Sequence, residues 1–243
     1  LADRGIHDHE VAAIETEPIG SGAVAHSGKM GGVVLNVDIG GGTSKFAICN
    51  NGKVEEVSAI DIGARLLAFD ENGVVVRIEE AGRKHAASAG FSVAIGDKIP
   101  EGNLRKMVSG MMDKLFAMLK PDSITEDIRS LMRLPPLSYR GEIDCVMFSG
   151  GVSEFIYDRA KKSFGDLGPL IAEEVHRRAG SLGLLVMEPN ARIRATVIGA
   201  SQYTVQVSGN TIFIAPEDSV PVRNVAVIAP EFPLSEDDFT KEA

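Results

Sequence analysis

Residues Val33 to Val54 read VVLNVDIGGGTSKFAICNNGKV, and this stretch decides the fold. Val33-Val34-Leu35-Asn36-Val37 is a short apolar run of the kind that forms a buried strand. It ends on Asp38, and Gly40-Gly41-Gly42 follow within two residues. Thr43 to Cys49 then reads as a second strand. Asn51-Gly52 is a type I′ turn signal, so a tight hairpin leads into a third strand that opens at Val54. The three glycines therefore fall in a turn between two strands.

Three consecutive glycines let backbone N–H groups approach a ligand closely, and a concave row of such groups is an anion site. Asp38 at the strand end is suited to hold a water or a hydrated Mg²⁺ beside phosphates, because Mg²⁺ keeps several waters and takes few carboxylates. The run is not a P-loop, since no Gly-Lys-Ser/Thr comes after it. It is not a dinucleotide fingerprint either, since the segment after the glycines is strand-like rather than helical. A glycine-rich hairpin turn that binds nothing is the competing reading, and the local pattern does not choose between them.

Further along, a strand from Val54 ends at Asp61-Ile62-Gly63. Leu66, Leu67 and Phe69 are expected against the sheet, with Arg65 either reaching a phosphate or a partner or forming a surface ion pair. Asp70 to Gly73 is a turn, and Val74 to Ile78 a short strand. Gly82 to Gly102 reads as loop or broken helices. Asn103 is a candidate cap for a helix reaching about Leu119, whose face carries Leu104, Met107, Val108, Met111, Met112, Leu115 and Met118. Pro121 ends it, and residues 122–125 cap a short helix through Met132.

Ile143 to Phe148 is the next apolar strand, and it runs into Ser149-Gly150-Gly151-Val152-Ser153-Glu154. Strand, glycine turn and helix start suit a phosphate or ribose nearby, although a plain turn of this kind is common. Asp166 either contacts a ribose or caps the helix over 171–179. Strands are expected at 184–187, 211–214 and 225–228, and the acidic end from Ser235 is expected to fray.

The chain has 243 residues and a formal charge of −9, which argues against a nucleic-acid surface. No run of about 18 apolar residues marks a membrane span. No secretory signal is visible. Cys49 and Cys145, both in expected strands, read as buried reduced thiols. His7-Asp8-His9 reads as a solvated terminal segment rather than a metal site, because no further ligands cluster nearby. These features point to a cytoplasmic protein.

Three runs carry a family resemblance. DIGGGTSKFAI, beginning at Asp38, resembles the second phosphate motif of the actin-like ATPase superfamily. SGGVSE, beginning at Ser149, resembles its adenosine motif, and RATVIGA, beginning at Arg194, its second connecting motif. The longer run VLNVDIGGGTSKFAI is similar to the EutA family, reactivating factors of ethanolamine ammonia-lyase. The resemblance implies an α/β, ribonuclease H-like domain with a mixed sheet, flanking helices and a peripheral insert. It implies a lead-in segment over 1–32, the ATPase second-half domain over 33–214 with inserted helices at about 80–140, and an edge strand and tail over 215–243.

By the same resemblance the ligands are ATP or ADP with Mg²⁺. Gly40, Gly41, Gly42, Thr43 and Ser44 would hold phosphates, and Gly150, Gly151, Val152 and Glu154 would face the adenosine. Asp38 would be the catalytic group and hold Mg²⁺ through water. The resemblance further implies ethanolamine ammonia-lyase as partner, an N-terminal half carrying the first phosphate hairpin, and little or no ATPase activity without that half. Its motion would release damaged cobalamin from the lyase. Self-association and residence at a bacterial microcompartment are further expectations. A sugar-kinase-like enzyme and a non-enzymatic actin-like scaffold are the alternatives.

Overall fold

The computed structural model describes residues 17–160 and 162–189. The expected features at 1–16, 193–200, 211–214, 225–228 and 235–243 lie outside the described residues. A helical stretch at 17–21 leads into α1 (Ala23–Met30). Three strands come next, β1 (Val33–Ile39), β2 (Ser44–Asn50) and β3 (Lys53–Ile60). The hairpin between β2 and β3 turns on Asn51 (φ 46°) and Gly52 (φ 84°), the two positive φ values that a type I′ turn requires.

After a 3₁₀ turn (Ala64–Leu66), β4 (Leu67–Phe69) and β5 (Val75–Ile78) pair as a separate two-stranded sheet. Two helices come next, α2 (Glu80–Ser88) and α3 (Glu101–Ala117), then the short α4 (Glu126–Arg129). Strand β6 (Cys145–Ser149), α5 (Ser153–Ile156), α6 (Gly168–Ala179) and β7 (Leu185–Met187) complete the described chain. Among the described residues, no helix is long and apolar enough to cross a membrane.

The main sheet has the order β3-β2-β1-β6-β7. The β1–β2 and β2–β3 pairs are antiparallel, and the β1–β6 and β6–β7 pairs are parallel. The fold is thus α/β with a mixed sheet and flanking helices, as expected. Because β1 is central, its flanking residues are covered on both faces, and all seven of its positions are buried.

One face of the sheet (Leu35, Val37, Ile39, Phe46, Ile48, Val146, Phe148) packs with α3 and α6 in the large core. Met107, Val108, Met111, Met112 and Leu115 all enter it. A fully buried side chain of this size contributes about 1.5–3 kcal/mol, so α3 alone is a major source of stability. This helix falls in the stretch read from sequence as inserted helices, and its apolar face packs in the same core as the sheet. On the other face Ala23 of α1 covers Val34, Ala47, Cys49, Cys145 and Met147.

One local expectation is corrected. Asn103 does not cap α3: the helix begins at Glu101 with Pro100 at the capping position, so Asn103 is already inside the first turn. Proline fixes φ near the value that suits a helix entry, and no side-chain cap is used there. Residues 82–102 are broken helix and loop, as expected: α2 stops at Ser88 and α3 starts at Glu101. Gly82 sits within α2, where a Cβ would come within 2.4 Å of the Leu66 carbonyl oxygen. Its glycine permits close helix approach rather than breaking the helix.

Candidate functional site

The site begins with sheet register. Asp38 on β1 pairs with Lys45 on β2 and with Ser149 on β6. Residues paired across a sheet share a face, so these three side chains project together at one end. Asp38 is only 2% exposed, and its Oδ2 accepts a hydrogen bond from Ser149 Oγ at 2.9 Å. Asn36 Nδ2 donates to Ser149 Oγ at 3.2 Å, and Ser21 Oγ donates to Asn36 Oδ1 at 3.0 Å. Lys45 Nζ donates to Glu17 Oε1 at 2.7 Å and lies 3.8 Å from Asp38 Oδ1. A buried polar chain thus joins residues 17–21 to three strands.

Burial drives the Asp38 carboxyl above its ordinary value, and the Lys45 charge and the Ser149 hydroxyl only partly offset this. At Lys45 burial works downward, but the charges of Glu17 and Asp38 outweigh it and hold the ammonium above its usual value. Lys45 is therefore a fixed cation at neutral pH.

The glycine turn is tied down from one side. Gly40 N–H donates to Thr43 O at 3.0 Å, so it closes the turn. The carbonyls of Gly40 and Gly41 accept from Ala64 N (3.0 Å) and Arg65 N (2.6 Å). Among the described residues, the N–H groups of Gly41, Gly42 and Thr43 make no hydrogen bond to a backbone carbonyl. They are the donors left for an anion. Ser44 is fully buried and its Oγ donates to Ile62 O at 2.7 Å, on the face opposite Asp38.

The second turn crosses the end of β1. Gly150 has φ 83°, and a Cβ there would lie 2.6 Å from Ile39 O and 2.8 Å from Asp38 Oδ1. Only glycine fits. Gly151 is the reverse: a Cβ there would meet nothing within 4 Å. Val152 is 1% exposed and its N–H donates to Ile39 O at 3.2 Å, locking this turn to the hairpin.

Between the turns lies a cleft of about 400 Å³, lined by Asp38, Gly40, Gly41, Lys45, Arg65, Gly150, Gly151, Val152 and Asp166, with Phe155 and Phe164 among its walls. The two rings pack with centroids 5.0 Å apart at 60°. Asp166 serves the start of α6, one of the two roles weighed for it: its Oδ1 accepts from Gly168 N at 2.9 Å, and its Oδ2 lies 3.7 Å from Arg65 Nε. Gly42, Thr43, Ser44 and Glu154 are not among the lining residues, Glu154 lying in the first turn of α5.

Sequence reasoning missed Glu17, Lys45, Ser149 as a partner of Asp38, and the aromatic wall. Lys45 was findable, because the four-residue turn over 40–43 places it opposite Asp38. Glu17 comes from a distant stretch that carries no spacing signal.

The cleft fits a phosphate-bearing ligand: it has unused backbone donors, Arg65 at its edge and open space beside Gly151. It fits a Mg²⁺ held through Asp38 poorly. One carboxylate oxygen is engaged by Ser149 and the other faces the Lys45 ammonium. Among the described residues, no group of three or more His, Cys, Asp or Glu side chains is arranged to hold a metal ion.

A family model for the ethanolamine utilisation protein EutA matches residues 13–242. The ethanolamine ammonia-lyase reactivase EutA of Salmonella typhimurium is 32% identical over 215 residues, covering 87% of this chain and 45% of that protein. The reactivase EutA of Escherichia coli is 30% identical over 199 residues, covering 81% of this chain and 42% of that protein. The chain thus spans less than half the length of these curated relatives. Among solved structures, an exopolyphosphatase from Cytophaga hutchinsonii aligns with a TM-score of 0.40 at 14% identity, covering 77% of this chain and 62% of that one.

Proposed function

The chain belongs to the family of the ethanolamine utilisation protein EutA, and on that premise we propose that it is the nucleotide-binding half of an actin-like ATPase that reactivates ethanolamine ammonia-lyase. One observation carries the nucleotide reading. The glycine turn after β1, the Gly150-Gly151 turn after β6 and Asp38 border a single cleft. ATP or ADP lies there with its phosphates toward the glycine turn at Gly41 and its adenosine toward Gly151 and Val152. Arg65 adds positive charge at the phosphate edge.

Asp38 then positions the attacking water. Water oxygen bonds to the terminal phosphorus, the bridging P–O bond breaks to release ADP, and the Asp38 carboxylate accepts the water proton. Burial raises the proton affinity of that carboxylate. Most of the barrier reduction comes from positioning and charge, as in other phosphoryl transfers. No step is assigned to Mg²⁺.

The curated relatives are about twice as long as the stretch matched here, and the facing jaw of the cleft comes from that further length. Hydrolysis changes the angle between jaws, a hinge motion that frees damaged cobalamin from the partner lyase. Alone, this chain hydrolyses ATP weakly or not at all. Residence in the cytoplasm, with or without a bacterial microcompartment, belongs to the same proposal. The test is reactivation of cobalamin-inactivated lyase by a full-length protein carrying Gly151→Val. Retained reactivation at the unmodified rate would sink the reading, since that side chain enters the cleft.

A further inference from the structure

The least expected residue in this cleft is a lysine between two carboxylates. Lys45 Nζ lies 2.7 Å from Glu17 Oε1 and 3.8 Å from Asp38 Oδ1. The two acids are 3% and 2% exposed at their side chains, while Lys45 keeps 23% and lines the cleft. Two carboxylates this buried, each facing the same side chain, strongly favour a cation between them. A divalent ion would meet that need with oxygen ligands, directly or through water. In this chain an ammonium stands at that point.

We propose that Lys45 is a built-in counter-cation, occupying the place between Glu17 and Asp38 that a divalent metal ion would otherwise take. Three observations converge on this. The sheet register fixes the lysine: Lys45 and Asp38 are direct cross-strand partners, so no rotation of β2 removes it without breaking the hairpin. Asp38 cannot turn away, because Ser149 holds its other oxygen and Gly150 packs against it. Glu17 reaches in from a separate stretch whose neighbour Ser21 is joined to the same polar chain through Asn36.

The consequence is a division of labour. Lys45 faces and orients both carboxylates without a bound metal, so Asp38 is pre-set to hold a water whether or not a divalent ion is present. Lys45 is in this sense a positioning residue. It acts on a ligand through Asp38.

The inference extends the nucleotide reading above to the charge balance of the same cleft, but its test needs no nucleotide. Mn²⁺ binding to the whole chain is measured by electron paramagnetic resonance, for the native sequence, Lys45→Ala, Lys45→Met, and Lys45→Ala combined with Glu17→Gln. Circular dichroism and thermal melts verify folding, and Lys45→Met keeps the aliphatic stem should the smaller side chain destabilise the sheet.

The native chain is expected to show no stoichiometric Mn²⁺ at this point. A folded Lys45 variant is expected to gain one Mn²⁺ site per chain, at least tenfold tighter than any in the native chain. The added Glu17→Gln change is expected to remove it. A native chain that already binds one Mn²⁺ as tightly as the Lys45 variants would overturn the proposal. So would folded Lys45 variants that gain no site. Either result leaves the nucleotide reading untouched, and a failure to bind nucleotide leaves this result untouched.

Discussion

Replacing Gly150 and Gly151 separately by alanine makes a sharp experiment, because neighbouring glycines in one turn should respond in opposite ways. Gly150 has φ 83°, where a residue with a Cβ costs about 1–2 kcal/mol. The added carbon would also lie 2.6 Å from Ile39 O and 2.8 Å from Asp38 Oδ1. Neither atom is a flexible tip: one is strand backbone and the other is a carboxylate held by Ser149. Displacing them adds strain of about 1–3 kcal/mol. The smaller freedom of the unfolded alanine chain returns roughly 0.4–1 kcal/mol. The net expectation for Gly150→Ala is a loss of about 2–4 kcal/mol.

Gly151→Ala has no neighbour within 4 Å at the new carbon and no positive φ, so its expected effect lies within about 0.5 kcal/mol. Urea denaturation of both variants beside the unmodified chain gives the comparison directly. For a chain of this size the Gly150→Ala loss lowers the melting temperature by roughly 5–15 °C. The reasoning is refuted if Gly150→Ala unfolds with the unmodified chain, or if Gly151→Ala loses as much as Gly150→Ala.

Burial pushes His85 below its ordinary 6.5, against the raising effect of its contact with Asp61 O at 3.0 Å. The unfolded chain takes up that proton first, so stability falls as pH drops below 6.5 toward the folded value. Urea midpoints between pH 7.5 and 5 should slope less in His85→Gln, and parallel slopes would disprove this. Glu56 accepts hydrogen bonds from Ser138 N and Tyr139 N, each at 2.9 Å, and from the Ser138 hydroxyl. These outweigh partial burial and hold its carboxyl low. Glu56→Ala should cost about 1–2 kcal/mol, discounted for solvent exposure, with faster amide exchange at 138 and 139; unchanged exchange would contradict it. Burial lifts the Cys49 thiol to about 12, so it should resist a thiol reagent at pH 8 until the chain unfolds. Prompt labelling of the folded protein would contradict its placement.

Local chemistry made the centre of the fold legible and hid its long-range parts. The run from Val33 to Val54 displays each strand, the glycine turn and the Asn51-Gly52 hairpin in its own residues, and all are present. The apolar spacing of α3 was equally plain, because that helix buries a continuous stripe. That stripe also pointed to packing against the sheet, and Met107 and Met111 enter the core beside β1.

The candidate site divides the same way. Asp38 and the glycines at 40–42 and 150–151 announce themselves. Glu17 joins them across 28 residues of chain to Lys45, a contact decided by how the helical stretch at 17–21 approaches the sheet. Asn103 misled because a good capping residue one turn away from a proline is outcompeted when the proline already sets the entry geometry.

The central claim is that the two glycine turns form one nucleotide site, and calorimetric titration with ADP tests it most directly. The account predicts one ADP per chain, with a dissociation constant on the order of 0.1–1 mM for a half-site. It also predicts at least a tenfold loss in Gly151→Val, with the melting temperature kept. No binding by the unmodified chain at several millimolar ADP, or equal affinity in Gly151→Val, would contradict it.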